Sequence, residues 1–195
     1  MAQAEIERQG LAHLAEVRHL DYRDVKETGF DAVSSIGLTE HIGKSQLRRT
    51  SGSCPPRCAP RAGCSTTASP TRSARASARS TRSSAATCSP DGQLETVGTI
   101  ITAMNDNGFE IRHEENLREH YARTLAGWGG DNLEDHWDEA VAEVGLERAR
   151  VWRLYMAASR LGFVRDNIQL HQVLGVKLGE HGRSGFPLRG WRSPS

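Results

Sequence analysis

The chain has 195 residues, 37% of them hydrophobic, with a mean hydropathy of −0.55 and a formal net charge of +1. That length suffices for one domain with a core of its own. The near-neutral total excludes a chain that is basic or acidic throughout, and no apolar run approaches the roughly 20 residues of a membrane helix. The polar start, MAQAEIERQG, is not a secretory signal, and these features predict a cytoplasmic protein.

The average conceals a split. Nine of the 25 basic residues fall between Lys44 and Ser89, where there is no Asp or Glu. The flanks therefore carry sixteen basic residues against all 24 acidic ones. A block so one-sided is different material from what surrounds it.

In chain order, Ala2–Arg8 favours a helix, with Gly10 to stop it. Glu16–Leu20 alternates weakly, as a half-buried strand would. Asp21–Gly29 is a polar connection. Phe30–Gly37 is a short apolar run ending in Gly and suits a buried parallel strand. This order suggests part of a doubly wound α/β sheet. Between Ile42 and Val97 the only large aliphatics are Leu47 and Leu94, with no aromatic. Segment 44–89 is thus predicted to be disordered, because it cannot bury enough apolar surface to offset chain entropy.

Ordinary protein resumes at residue 90. Val97–Met104 is helical in pattern, with Asn107-Gly108 as its stop. Phe109–His113 alternates as a strand. Glu114–Trp128 places Leu117, Tyr121, Leu125 and Trp128 on one helical face. Leu133–Gly162 predicts two amphipathic helices with a break near Gly145, and Asn167–Leu178 a final strand. The tail from Gly179 is expected to fray. Trp128, Trp137 and Trp152 are read as core. The division is therefore 1–43, 44–89, 90–178 and a flexible 179–195.

Several stretches, in order, resemble the cyclopropane-fatty-acid synthase family and its mycolic-acid relatives. They are LDYRDV (Leu20–Val25), FDAVSSIGLTEHIG (Phe30–Gly43), SPDGQL (Ser89–Leu94), NGFEIRHEENLREHYARTLAGW (Asn107–Trp128) and RLYMAASRLGFVRDNIQLHQVL (Arg153–Leu174). The resemblance implies a partial Rossmann-like class I methyltransferase fold. It implies S-adenosylmethionine as cofactor and the double bond of an unsaturated phospholipid acyl chain as acceptor, with peripheral contact at the inner face of the membrane. The alkene takes the activated methyl, and a base then removes one proton as the ring closes. A bound bicarbonate is the base the family implies, held by a Glu that falls on Glu40 and a Tyr that falls on Tyr121. The family's adenine contacts fall on Asp21 and Tyr22.

Taken without the resemblance, Glu40 is a solvated loop carboxylate, Tyr121 a core aromatic, and Asp21 a turn former. His41, next to Glu40, could act as a base, but a packing or supporting role is the ordinary one for such a residue.

Two family features are missing. The Glu-x-Gly-x-Gly turn that approaches the cofactor is not in the sequence, and MAQAEIERQGL resembles the helix after the family's second strand. The family's His belongs to an LLNHCIT-like strand, where this chain has Arg57–Ser69. Plausible GC-rich codons for that stretch, read one base earlier, give LRPAGGLLNHCIT. The same shift over Ser83–Ser89 gives FIGRYLFP, running into Asp91-Gly92. Segment 44–89 therefore reads as an out-of-frame translation, with the lost His near position 67, and this copy is expected to be weakly active or inactive.

All four cysteines, Cys54, Cys58, Cys64 and Cys88, lie in that block. They form no second metal-ligand pair and have no His beside them, so no metal is expected. The Arg/Ser run could neutralise phosphates but contains no aromatic for base stacking, so nucleic acid is not the expected partner. The competing reading is a non-catalytic remnant or interaction fragment.

Overall fold

The computed structural model describes residues 1–38, 41, 58–68 and 95–188, with backbone only over 58–68. The elements are α1 (Ala2–Arg8), β1 (Phe30–Ile36), β2 (Cys58–Ala68), α2 (Val97–Asp106), β3 (Phe109–Asn116), α3 (Arg118–Ala126), α4 (Trp137–Val144), α5 (Leu146–Val164) and β4 (His171–Lys177). Short 3-10 turns lie at Tyr22–Asp24 and Glu180–Gly182, and a π turn follows α3 at Gly127–Asn132.

The strands form one sheet in the order β1-β2-β4-β3. β1 and β2 run parallel, while β4 is antiparallel to both β2 and β3. The last strand therefore inserts between two earlier ones. Its first residue, His171, pairs with Ala68, so the start of β4 lies where β2 ends.

The core sits on one face of this sheet. Ile100, Ala103 and Met104 recur at helical spacing on α2 and pack against Phe109 and Val173. Thr96 caps α2, its hydroxyl accepting a bond from the Thr99 amide at 3.3 Å. Gly175 lets α2 and β3 approach β4: a Cβ there would stand 2.7 Å from Met104 Cε and 3.1 Å from Phe109 Cβ. A second cluster joins Ala122 and Leu125 of α3 to Phe163 of α5. Gly145, at φ +82°, makes the predicted break between α4 and α5 in a conformation open to glycine and strained for other residues.

The structure departs from the sequence reading at several points. Glu16–Leu20 is not a strand; Val17 is half exposed, and its amide donates to the Gln3 side chain instead of a ladder. β1 pairs in parallel as expected but lies at the sheet edge and is not buried, with Ile36 78% exposed. Residues 114–116 continue β3, so the helix expected from Glu114 begins only at Arg118. Trp128 and Trp152 are half exposed and do not belong to the core.

Segment 44–89, expected to lack structure, contributes Cys58–Ala68 as β2; its other residues lie outside the described ones. A ladder is made by backbone groups, so a run poor in apolar side chains can still complete one. The regular pairing covers Gly63–Thr67 on both sides. Pro60 falls in the irregular stretch before it, where a missing amide proton costs least.

Candidate active site

The two parallel strands end together: Ile36 of β1 pairs with Thr67 of β2, which pairs in turn with Gln172 of β4. Open α/β sheets bind ligands outside the carboxyl ends of such strands. α3 is anchored at this end, because the Leu117 amide donates to the Leu170 carbonyl at 2.7 Å, just before β4 begins. The topology thus brings α3, which carries Tyr121, to the sheet end where β1 and β2 stop.

Tyr121 is half buried. Its ring meets Phe163 edge-on at 5.0 Å and Trp128 at 6.1 Å, and it packs against the Ala122, Leu125 and Phe163 cluster. Glu40 lies outside the described residues. His41, beside it, is exposed, and its amide closes a turn onto the Leu38 carbonyl at 3.0 Å. Thr67, near which the resemblance puts the family's His, pairs through its backbone with Ile36 at the end of β1.

Asp21 caps the 3-10 turn Tyr22–Asp24 and accepts from the Arg23 amide at 2.9 Å. The Arg23 guanidinium grips the same carboxylate in bidentate fashion, at 2.9 Å to Oδ1 and 2.7 Å to Oδ2. These side-chain bonds first, and the backbone bond second, hold the Asp21 pKa down at about 2. Oδ2 accepts one of these bonds and keeps a lone pair, so the carboxylate can still receive an exocyclic amine. Tyr22 beside it is half buried.

A carboxylate with a depressed folded pKa contributes stability above its unfolded value near 3.9, and loses it as pH falls through the folded value. Asp21 is therefore expected to titrate near pH 2 by carboxyl-carbon NMR. Arg23→Ala should return it toward the ordinary carboxylate range; a midpoint unmoved by that change would break the assignment to Arg23.

The sequence reading assigned no role to His171. It is 5% exposed at the start of β4, beside the same sheet end. Its Nδ1 lies against a Glu114 carboxylate oxygen in a short contact, and Nε2 lies 3.0 Å from Gln169 Oε1. The Gln169 amide is oriented by its nitrogen, which donates to Asp166 at 2.6 Å. Each His171 ring nitrogen therefore faces a side-chain oxygen. Asp166 also approaches Arg118 Nε at 3.7 Å, and Arg118 donates to the Phe163 carbonyl at 2.6 Å. This polar chain ties β3, β4, the end of α5 and the start of α3 together around Tyr121. One signal was available in the sequence: a His at an inward-facing position of an alternating strand.

A cleft beside the π turn, lined by Trp128, Leu133, His136, Glu139, Glu143 and Met156, contains none of the four predicted site residues. Among the described residues no cluster of His, Cys, Asp or Glu could hold a metal.

The strand order and the helices over the sheet end define a class I S-adenosylmethionine-dependent methyltransferase fold. The chain superposes on the cyclopropane synthase MmaA2 from Mycobacterium tuberculosis with a TM-score of 0.75 at 19% identity, covering 89% of this chain and 66% of that one. For mycolic acid cyclopropane synthase CmaA1 complexed with SAH and CTAB the TM-score is 0.74 at 19% identity, covering 86% and 64%. The sequence matches the family described as mycolic acid cyclopropane synthetase over residues 1–173, and the chain belongs to that family. It is 48% identical to a probable fatty acid methyltransferase of Mycobacterium tuberculosis over 98% of this chain and 45% of that protein. It is 30% identical to a probable fatty acid methyltransferase of Pseudomonas putida over 93% of this chain and 47% of that one. The chain thus spans about half the length of these relatives.

Proposed function

We propose that the protein is a lipid methyltransferase of the cyclopropane-fatty-acid synthase type, acting on the double bond of an unsaturated phospholipid acyl chain at the membrane surface. The observation that carries this reading is the family match over residues 1–173. The docking of α3 at the carboxyl ends of β1 and β2 supports it. S-adenosylmethionine would supply an electrophilic methyl group. In this chain Asp21 and Tyr22 would contact the adenine, Asp21 through its remaining lone pairs. Glu40 and Tyr121 would hold the bicarbonate that takes the proton.

A second reading, a non-catalytic remnant, is favoured by β2. This strand has a neighbour on each side, yet its sequence, CAPRAGCSTTA, contains no large aliphatic residue. Interior parallel strands are usually Val, Ile and Leu rich. The alternative frame would place Leu, Asn and His residues there, and we propose that 44–89 is out of frame.

Labelled methyl transfer from S-adenosylmethionine to vesicles of monounsaturated phospholipid tests the first reading. Label in the lipid, lowered about 100-fold or more by Glu40→Gln or Tyr121→Phe, supports it. If the chain transfers no label but gains transfer when 44–89 is recoded in the alternative frame, with Thr67→His among the changes, this copy is the remnant. If neither version transfers label, the lipid methyltransferase reading fails for this chain. An uninterrupted gene with no family-like frame beneath 44–89 would overturn the frame proposal.

A further inference from the structure

α5 is apolar on more than one side. Ala149 and Phe163 face the protein and are buried. On the opposite face Val151, Leu154 and Leu161 recur at spacings of three and seven and are 37%, 67% and 45% exposed, with Val164 beside them at 56%. The charges around this face are nearly all of one sign: Arg148, Arg150, Arg160 and Arg165 are exposed, and Glu147 is the helix's only acid. Arg153 is engaged elsewhere, with Glu134 and over the Trp137 ring. An apolar stripe bordered by arginines is the pattern of a helix lying in a membrane interface, with leucines among acyl chains and guanidinium groups at phosphate level.

We propose that the outer face of α5 docks the protein on an anionic phospholipid surface through Leu154 and Leu161, with Arg150 and Arg165 meeting the lipid phosphates. This inference rests on the reading of the acceptor as a membrane phospholipid, and it names the surface that would hold the protein there. The charge pattern selects the occupant, because a zwitterionic or cationic partner would gain nothing from four arginines against one acid.

The test is co-sedimentation of the full chain with vesicles of phosphatidylglycerol and phosphatidylcholine, which needs no catalysis. The basic run 44–89 would itself attract such vesicles, so binding is compared at low salt and at 0.5 M salt, where charge attraction is largely screened. The expected result is partitioning that persists in part at high salt and falls at least tenfold in Leu154→Glu/Leu161→Glu. Both positions are exposed, and unchanged circular dichroism would show that the variant folds. Equal binding by parent and variant would overturn the proposal, as would a parent that does not partition at all. A parent dimer that the double variant dissolves would assign the face to a second copy and overturn it likewise. Vesicle binding lost in the variant, with no methyl transfer by the parent, would leave the docking surface standing and count against the catalytic reading alone.

Discussion

Phe163→Ala is expected to destabilise the protein by about 3–5 kcal/mol, the range for removing a buried aromatic and leaving a cavity. Phe163 is 3% exposed and closes the second core cluster with Ala122 and Leu125. Its ring is also the 5.0 Å edge-on partner of Tyr121. The cavity cannot collapse easily. Gly162 next to it is pressed against Ile168, where even a Cβ would come within 3.1 Å, and the Phe163 carbonyl is held by Arg118. Domains of this kind have about 5–15 kcal/mol in total, so the loss is a large share. Urea unfolding would measure it as a fall in midpoint; a change below about 1 kcal/mol would show that α3 and α5 do not share a core there.

The second large effect is expected at His171. His171→Leu removes two side-chain bonds at a 5% exposed position, one of them to a carboxylate, and should cost about 1.5–3 kcal/mol. Glu114 retains partial exposure, at 35% of its side chain, so water can take over part of what it loses. That exposure places the effect below the cost of breaking a fully buried pair. A double-mutant cycle with Glu114→Gln separates the pair from its surroundings. The two changes should be non-additive by about 1 kcal/mol; strict additivity would mean that the two groups do not interact.

Local rules made much of the molecule legible. The break at Gly145, the stop at Asn107-Gly108 and the apolar face of α2 were readable because caps, glycines and helical periodicity act within a few residues. The family was readable because its motifs are short and keep their order, and residues 1–173 match it. Tyr121 was nominated that way, and its helix lies at the end of the sheet where β1 and β2 stop.

Other features depended on which segments meet. Glu16–Leu20 had a strand's alternation but no neighbour, and alternation alone cannot supply the hydrogen bonds of a ladder. Cys58–Ala68 had the composition of a disordered run, yet β1 and β4 offer it backbone groups on both sides. β1 read as a buried strand, and its place at the sheet edge follows from the strand order, which no local pattern contains. His171 and Glu114 are 57 positions apart, and only the antiparallel pairing of β3 with β4 brings them together. The sequence by itself determined most of the helices and the family, because those depend on neighbours along the chain. The tertiary structure alone decided the strand order, the polar chain around Tyr121 and the bare outer face of α5, because pairing and burial depend on neighbours in space.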